Sequence, residues 1–278
     1  MSVLHSKGRV LDLSLPVVMG ILNATPDSFY NAGADSDITA ILRNAEKMLK
    51  DGAAILDIGG ASTKPGQQLI AADEELNSVM PVIAAIHQHF PEAWLSIDTY
   101  NSKVARETVN AGVSIVNDVS SGAFDNEMLQ TVAALQVPYI AMHMQGTPLT
   151  MQQDPQYTNV VAEVKTYLQS VCQQCEAAGV KEVIIDPGFG FGKTVAHNFA
   201  LLRSLDSFKS LGKPILAGVS RKSMICKVLK VNPPQALNGT TALNMVALQH
   251  GANILRVHDV KEAMEVIALY TELKRNIC

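Results

Sequence analysis

Eight short, almost wholly apolar runs recur along this chain, each followed by a longer stretch with helical periodicity. That alternation limits the fold more than any other feature. The runs lie at 17–22, 55–58, 94–97, 113–116, 139–142, 183–185, 215–219 and 254–257. Continuous rather than alternating hydrophobicity is the mark of parallel strands buried on both faces. The intervening segment 38–50 puts Ile41, Leu42, Ala45, Met48 and Leu49 on one stripe, the spacing of an amphipathic helix. Similar stripes occupy 71–89, 102–111, 125–135, 159–178, 196–206, 238–250 and 260–274. Gly52, Gly112, Gly179 and Gly251 each stand between a stripe and a strand, where a left-handed helix cap costs glycine least. Eight βα units with no linker between them predict one (β/α)8 TIM barrel over residues 1–278, with its core at 9–274. A doubly wound open sheet is the structural alternative.

In a barrel the C-terminal strand ends converge on one mouth, and that is where active sites are built. The residues at or just beyond those ends are Asn23; Asp57; Asp98; Asn117 and Asp118; His143; Asp186; Ser220, Arg221 and Lys222; and Arg256 with His258. Turns and helix caps also favour Asp, Asn and Ser, so any single position has an ordinary explanation. Polar residues at all eight ends, cations and carboxylates together, are harder to assign to capping. A rim of mixed sign suits a substrate with both an anionic part and a donor-rich part.

Other features narrow the function by exclusion. A net charge of −4 argues against a general nucleic-acid binder. No run of ~18 apolar residues is present to span a membrane, and the first 15 residues do not read as a signal peptide. Four cysteines are too few for a disulfide scaffold at this length, which points to a cytoplasmic protein with reduced thiols. The GFGFGKT segment at 188–194 resembles a phosphate loop, but the pattern needs glycine where Pro187 stands. It is expected to be a flexible loop through which backbone and aromatic faces approach a ligand. Cys172 and Cys175 have CxxC spacing inside a helical stripe and read as two helix-face thiols, and His87 and His89 as solvated helix-end residues. Met142 serves equally well as core packing or as the floor of a flat-ring pocket.

An ordered set of motifs is specific enough to name a family. MGILNATPDSF at 19–29, DIGGASTKPG at 57–66, SIDT at 96–99, IVND at 115–118, DPGFGF at 186–191, GVSRK at 218–222 and RVHDV at 256–260 together resemble the dihydropteroate synthases, the pterin-binding barrel enzymes of folate biosynthesis. The resemblance implies a transferase that joins 7,8-dihydropterin-6-ylmethyl diphosphate to 4-aminobenzoate by a C–N bond. It places Asp98, Asn117, Met142, Asp186, Phe191 and Lys222 around the pterin. Asn23, Arg256 and His258 then contact the diphosphate, with Asn23 also a ligand of Mg²⁺. Phe29, Thr63, Pro65, Phe189, Ser220 and Lys222 surround the aminobenzoate. Lys222, Arg256, His258 and Asn23 carry the catalytic roles, and the expected assembly is a homodimer.

Four departures from the family pattern fall on the closing loops: Asn31 where an acid is usual, Ala61 where glutamate is common, Lys64 in place of arginine, and Ala24 in place of a common valine. Lys64 keeps the charge but loses the planar fork. They bear on aminobenzoate affinity and sulfonamide response more than on the pterin slot. Two rivals share the pterin contacts: a methyltransferase barrel working with a corrinoid partner, and a pterin-binding protein whose loops no longer close. The methyltransferase has no use for the 63–66 loop or the 220–222 run.

Overall fold

A computed structural model describes residues 3–24, 34–60 and 69–275, with main chain only at 34–37. It begins with a hairpin, β1 (Val3–Ser6) and β2 (Arg9–Asp12). Lys7 and Gly8 join the two strands with φ of 50° and 76°. Two consecutive left-handed residues give the turn whose twist matches a two-residue hairpin.

The eight expected strands follow: β3 (Val17–Asn23), β4 (Ile55–Gly59), β5 (Trp94–Asp98), β6 (Ile115–Asp118), β7 (Tyr139–Met142), β8 (Val183–Asp186), β9 (Leu216–Ala217) and β10 (Ile254–Val257). All pair in parallel, in the order β8-β7-β6-β5-β4-β3-β10-β9. A parallel bridge between Ile185 and Ile215 joins the two end strands, and Ile185 N–H donates to the Pro214 carbonyl at 2.9 Å. The sheet therefore closes, and the open-sheet alternative falls away. Around it stand α1 (Ala34–Lys50), α2 (Ala72–His89), α3 (Ser102–Asn110), α4 (Met128–Leu135), α5 (Val160–Ala178), α6 (Val195–Arg203), α7 (Ser223–Leu229), α8 (Leu237–Gln249) and α9 (Val260–Lys274).

Strand parity divides the core in two. Val18, Leu56, Leu95, Val116, Ala141, Ile185 and Leu255 face outward, where Ile83, Val104, Leu168, Leu248 and Ile267 of the helices cover them. Met19, Ile55, Trp94, Ile115, Ile140, Ile184, Leu216 and Ile254, one from each strand, form a separate inner layer. Leu4 and Leu13 join that layer and are buried, so the hairpin and the residue that follows it plug the floor of the barrel. Burial on both faces is why the strands read as unbroken apolar runs.

Two expectations need correction. The run at 113–116 pairs two residues later, as β6, and the run at 215–219 keeps only two residues in the ladder. The hairpin and α7 had no counterpart in the sequence pattern. The four capping glycines do adopt the expected conformation, with φ between 90° and 122°.

Candidate functional site

Side chains two residues apart on a strand share a face. Counting up from the inner layer, the same parity brings Asp57, Asp98, Asn117, Met142, Asp186 and Arg256 into the mouth above the apolar floor. At its centre Arg256 lies between two carboxylates. Its Nε donates to Asp57 Oδ2 at 2.6 Å and its Nη2 to Asp98 Oδ2 at 2.7 Å. Asn117 Nδ2 donates to both Asp57 oxygens, at 3.2 and 3.4 Å. Asp57 is fully buried. Asp98 Oδ1 is buried with no hydrogen-bond partner, a cost that interiors avoid unless a ligand supplies the missing donor.

The charges follow from this geometry. Burial pushes the Asp98 carboxyl up to about 7, since Arg256 must be shared with Asp57. Burial also pulls the guanidinium of Arg256 down, but Asp57 and Asp98 outweigh it and hold the group above its usual range. Arg256 Nη1 makes no hydrogen bond with a described residue.

A second cluster stands beside the first. Asp186 Oδ1 accepts the Gly188 N–H at 2.7 Å. Burial raises the carboxyl, opposed by Lys222 and by that amide. Lys222 Nζ donates to the Phe189 carbonyl and lies 4.9 Å from the centroid of the Phe191 ring. Burial lowers its pKa to about 8, and Asp186 works against the shift. Gly218 separates the clusters: a Cβ there would sit 3.7 Å from Lys222 Nζ and 3.8 Å from Arg256 Cβ. Met142, paired in register with Asp186, packs with Tyr100 and Val119, and Phe191 lies against the group. Met142 thus belongs to a small apolar cluster at the mouth, apart from the main core.

At the rim Ser220 Oγ is 3.0 Å from His258 Nδ1. His258 is exposed, but partial burial of its ring and the charges of Arg221 and Arg256 push its pKa down to about 4. Arg221 is itself held by Asp259 through contacts of 3.0 and 2.5 Å. Asn23 is exposed at the end of β3, and its amide makes no hydrogen bond with a described residue. Phe189 is placed otherwise than expected. Its ring is fully buried in the main core, and only its carbonyl faces the site. Phe29, Thr63 and Pro65, with the departures Asn31, Ala61 and Lys64, lie outside the described residues.

Two functional features escaped the sequence. The sequence sets Asp57 at the rim with no contact assigned to it, although its position two residues above Ile55 marks it as inward-facing. The sequence pattern reads Lys193 as part of a flexible glycine loop. It is 3% exposed, and Nζ donates to the carbonyls of Gly188 (2.8 Å), Phe191 (2.9 Å) and His143 (3.2 Å), with His143 Nδ1 at 3.0 Å. The loop is pinned from beneath rather than flexible. Gly188 is required there, since a Cβ would stand 1.9 Å from the His143 carbonyl oxygen. Among the described residues no group of three or more His, Cys, Asp or Glu side chains could hold a metal. No helix among them is long and apolar enough to cross a membrane.

Residues 19–258 match the family described as pterin binding enzyme. The dihydropteroate synthase of Escherichia coli K12 is 44% identical over 266 residues, covering 95% of this chain and 94% of that protein. That of Haemophilus influenzae is 44% identical over 269 residues, covering 96% and 97%. Among solved structures, Yersinia pestis dihydropteroate synthase in a sulfonamide drug complex superposes with a TM-score of 0.92 at 41% identity, covering 98% and 99%. The Xanthomonas albilineans enzyme in complex with 7,8-dihydropteroate gives 0.87 at 34% identity, covering 99% of each.

Proposed function

The chain belongs to the pterin-binding enzyme family, among its dihydropteroate synthases, and from that premise we propose that it condenses 7,8-dihydropterin-6-ylmethyl diphosphate with 4-aminobenzoate to give 7,8-dihydropteroate and diphosphate. One observation carries the proposal furthest. The mouth holds buried carboxylates with an unpaired oxygen, Asp98 Oδ1, beside an apolar wall of Met142 and Phe191. A flat ring with a row of N–H donors satisfies both parts.

Asp186, Asn117 and Asp98 take the polar edge of the pterin, and Lys222 its carbonyl side. Arg256 is oriented by Asp57 and Asp98, so its Nη1, which bonds no described residue, is offered to the diphosphate in a fixed pose, with His258 as a second donor. Charge grows on diphosphate as its bond to the methylene carbon breaks, and donors fixed in advance stabilise it without reorganisation. The electron-rich dihydropterin carries the resulting cation, the arylamine attacks the methylene and then loses a proton, and no strong base is needed. Phe29, Thr63 and Pro65, with Ser220 and Lys222, complete the aminobenzoate side, and closure over the barrel excludes water.

Mg²⁺ belongs to this proposal. The exposed amide oxygen of Asn23, which makes no hydrogen bond with a described residue, is a hard donor of the right kind, and a magnesium ion commonly takes one protein ligand with substrate oxygens and waters. Bound there, it supplies further neutralisation of the leaving diphosphate. The same proposal includes a cytoplasmic homodimer, to be checked by sedimentation.

Incubation with both substrates and magnesium tests the reaction. Dihydropteroate and diphosphate should appear one for one, and omission of aminobenzoate should suppress both. Diphosphate released at full rate without dihydropteroate would overturn the proposal. Asn23→Ala should lower turnover and raise the magnesium requirement, and an unchanged requirement would remove Asn23 as the ligand.

A further inference from the structure

The pair Ser220 and His258 fixes the position of a proton. Ser220 is 4% exposed, and its Oγ has two polar neighbours among the described residues. One is the main-chain N–H of His258 at 3.3 Å, the other His258 Nδ1 at 3.0 Å. The main-chain N–H can only donate, so Oγ accepts there. The hydroxyl hydrogen then needs an acceptor, and Nδ1 is the one within reach. Were Nδ1 protonated, Oγ would accept twice and its own hydrogen would be buried without a partner, an arrangement that native interiors avoid.

The charges nearby point the same way. Arg221, Arg256 and Lys222 all disfavour an imidazolium, and the opposing carboxylate, Asp259, is already held by Arg221 through two contacts. The ring is therefore neutral, with one hydrogen, and that hydrogen is left to Nε2.

We propose that Ser220 is a positioning residue that holds His258 as its Nε2–H tautomer, so that the rim presents a neutral N–H donor beside Arg256 to the departing diphosphate. The role at diphosphate rests on the function proposed above; the tautomer does not. The donor adds a hydrogen bond without adding charge to a site already rich in cations. The hydrogen bond that one ring nitrogen makes decides which form the other takes, a general property of histidine sites.

The test is long-range ¹H–¹⁵N correlation on histidine-labelled full-length protein at neutral pH, with the His258 signals assigned by their loss in His258→Gln. The expected pattern is an unprotonated Nδ1 and a proton-bearing Nε2. Ser220→Ala should release the ring into exchange between tautomers, and Ser220→Thr should keep the wild-type pattern. Inorganic diphosphate titrated without aminobenzoate should bind Ser220→Ala about fivefold more weakly, the size of one neutral hydrogen bond. Ser220→Thr should bind it as wild type does. A protonated Nδ1 or an imidazolium in the wild-type protein overturns the proposal, as does an unmoved tautomer or undiminished diphosphate affinity in Ser220→Ala. If the chain is not a synthase, the wild-type protein yields no dihydropteroate, whatever the tautomer.

Discussion

Replacement of Lys193 by methionine should loosen the pterin site from a buried position. The lysine amine joins the end of β7 to the loop after β8 through the carbonyls of His143, Gly188 and Phe191. Methionine matches the length of the side chain but donates nothing. The Gly188 carbonyl keeps a second donor, the Phe191 N–H at 3.1 Å, whereas those of His143 and Phe191 have no other described partner. Two carbonyls left unpaired at ~1–3 kcal/mol each, offset by release from burying an amine, give a net loss of about 3 kcal/mol. A chain of this length has an unfolding entropy near 0.6 kcal/mol/K, so Tm should fall by about 5 °C. The same loop supplies the carbonyl that receives Lys222 and the ring beneath its ammonium, so KM for the dihydropterin substrate should rise more than kcat falls. Burial and the Lys193 charge together push His143 down to about 3, so His143 should titrate higher in the variant. Calorimetry, steady-state kinetics and histidine NMR read the three effects. Unchanged Tm together with unchanged KM would refute the pinning role.

Other perturbations follow from the same structure. Glu75 on α2 is fully buried, with Asn101 Nδ2 donating to one oxygen at 2.7 Å and the other oxygen unpaired. Burial raises its pKa to about 7, against the hydrogen bonds from Thr99 and Asn101. The folded state therefore binds more protons than the unfolded state between the ordinary glutamate value and 7, and this group's contribution to stability falls as pH rises through that window. The loss is on the order of 3 kcal/mol once the group is ionised. Glu75→Gln should flatten the fall in urea midpoint between pH 5 and 8 and stabilise the protein at pH 8; an equal fall in both proteins would contradict this. Leu4→Ala should cost about 2–4 kcal/mol by opening a cavity in the barrel floor while leaving kcat intact, checked by urea unfolding and kinetics. A midpoint within error of wild type would mean that the hairpin does not plug the barrel.

Much of the fold was legible because each strand is buried on two faces and each connecting helix on one. Those constraints write continuous runs and 3.6-residue stripes into the sequence. The hairpin was not, because four-residue strands around a Lys-Gly turn leave too few positions to show a period. Nor was α7, whose seven residues make two turns between a polar rim segment and a loop. At the site, the resemblance carried Asp98, Asn117, Asp186, Lys222 and Arg256 to positions that the barrel brings together. Asp57 and Lys193 were missed for a common reason. Each acts on groups distant in sequence, Asp57 on Arg256 and Lys193 on His143, and local pattern holds no trace of such pairings. Phe189 shows the reverse: a motif residue whose ring the fold buries, leaving its carbonyl to face the site.

The central claim is that the buried carboxylates of the mouth hold the N–H edge of a pterin. Titration calorimetry with 6-hydroxymethyl-7,8-dihydropterin, which carries no diphosphate, isolates that contact in wild type and in Asp186→Asn. The amide turns an acceptor oxygen into a donor facing other donors. Saturable binding at one site, weakened at least ~10-fold (about 1.4 kcal/mol) by the substitution, is the expected result. Equal affinity in the two proteins would contradict the claim.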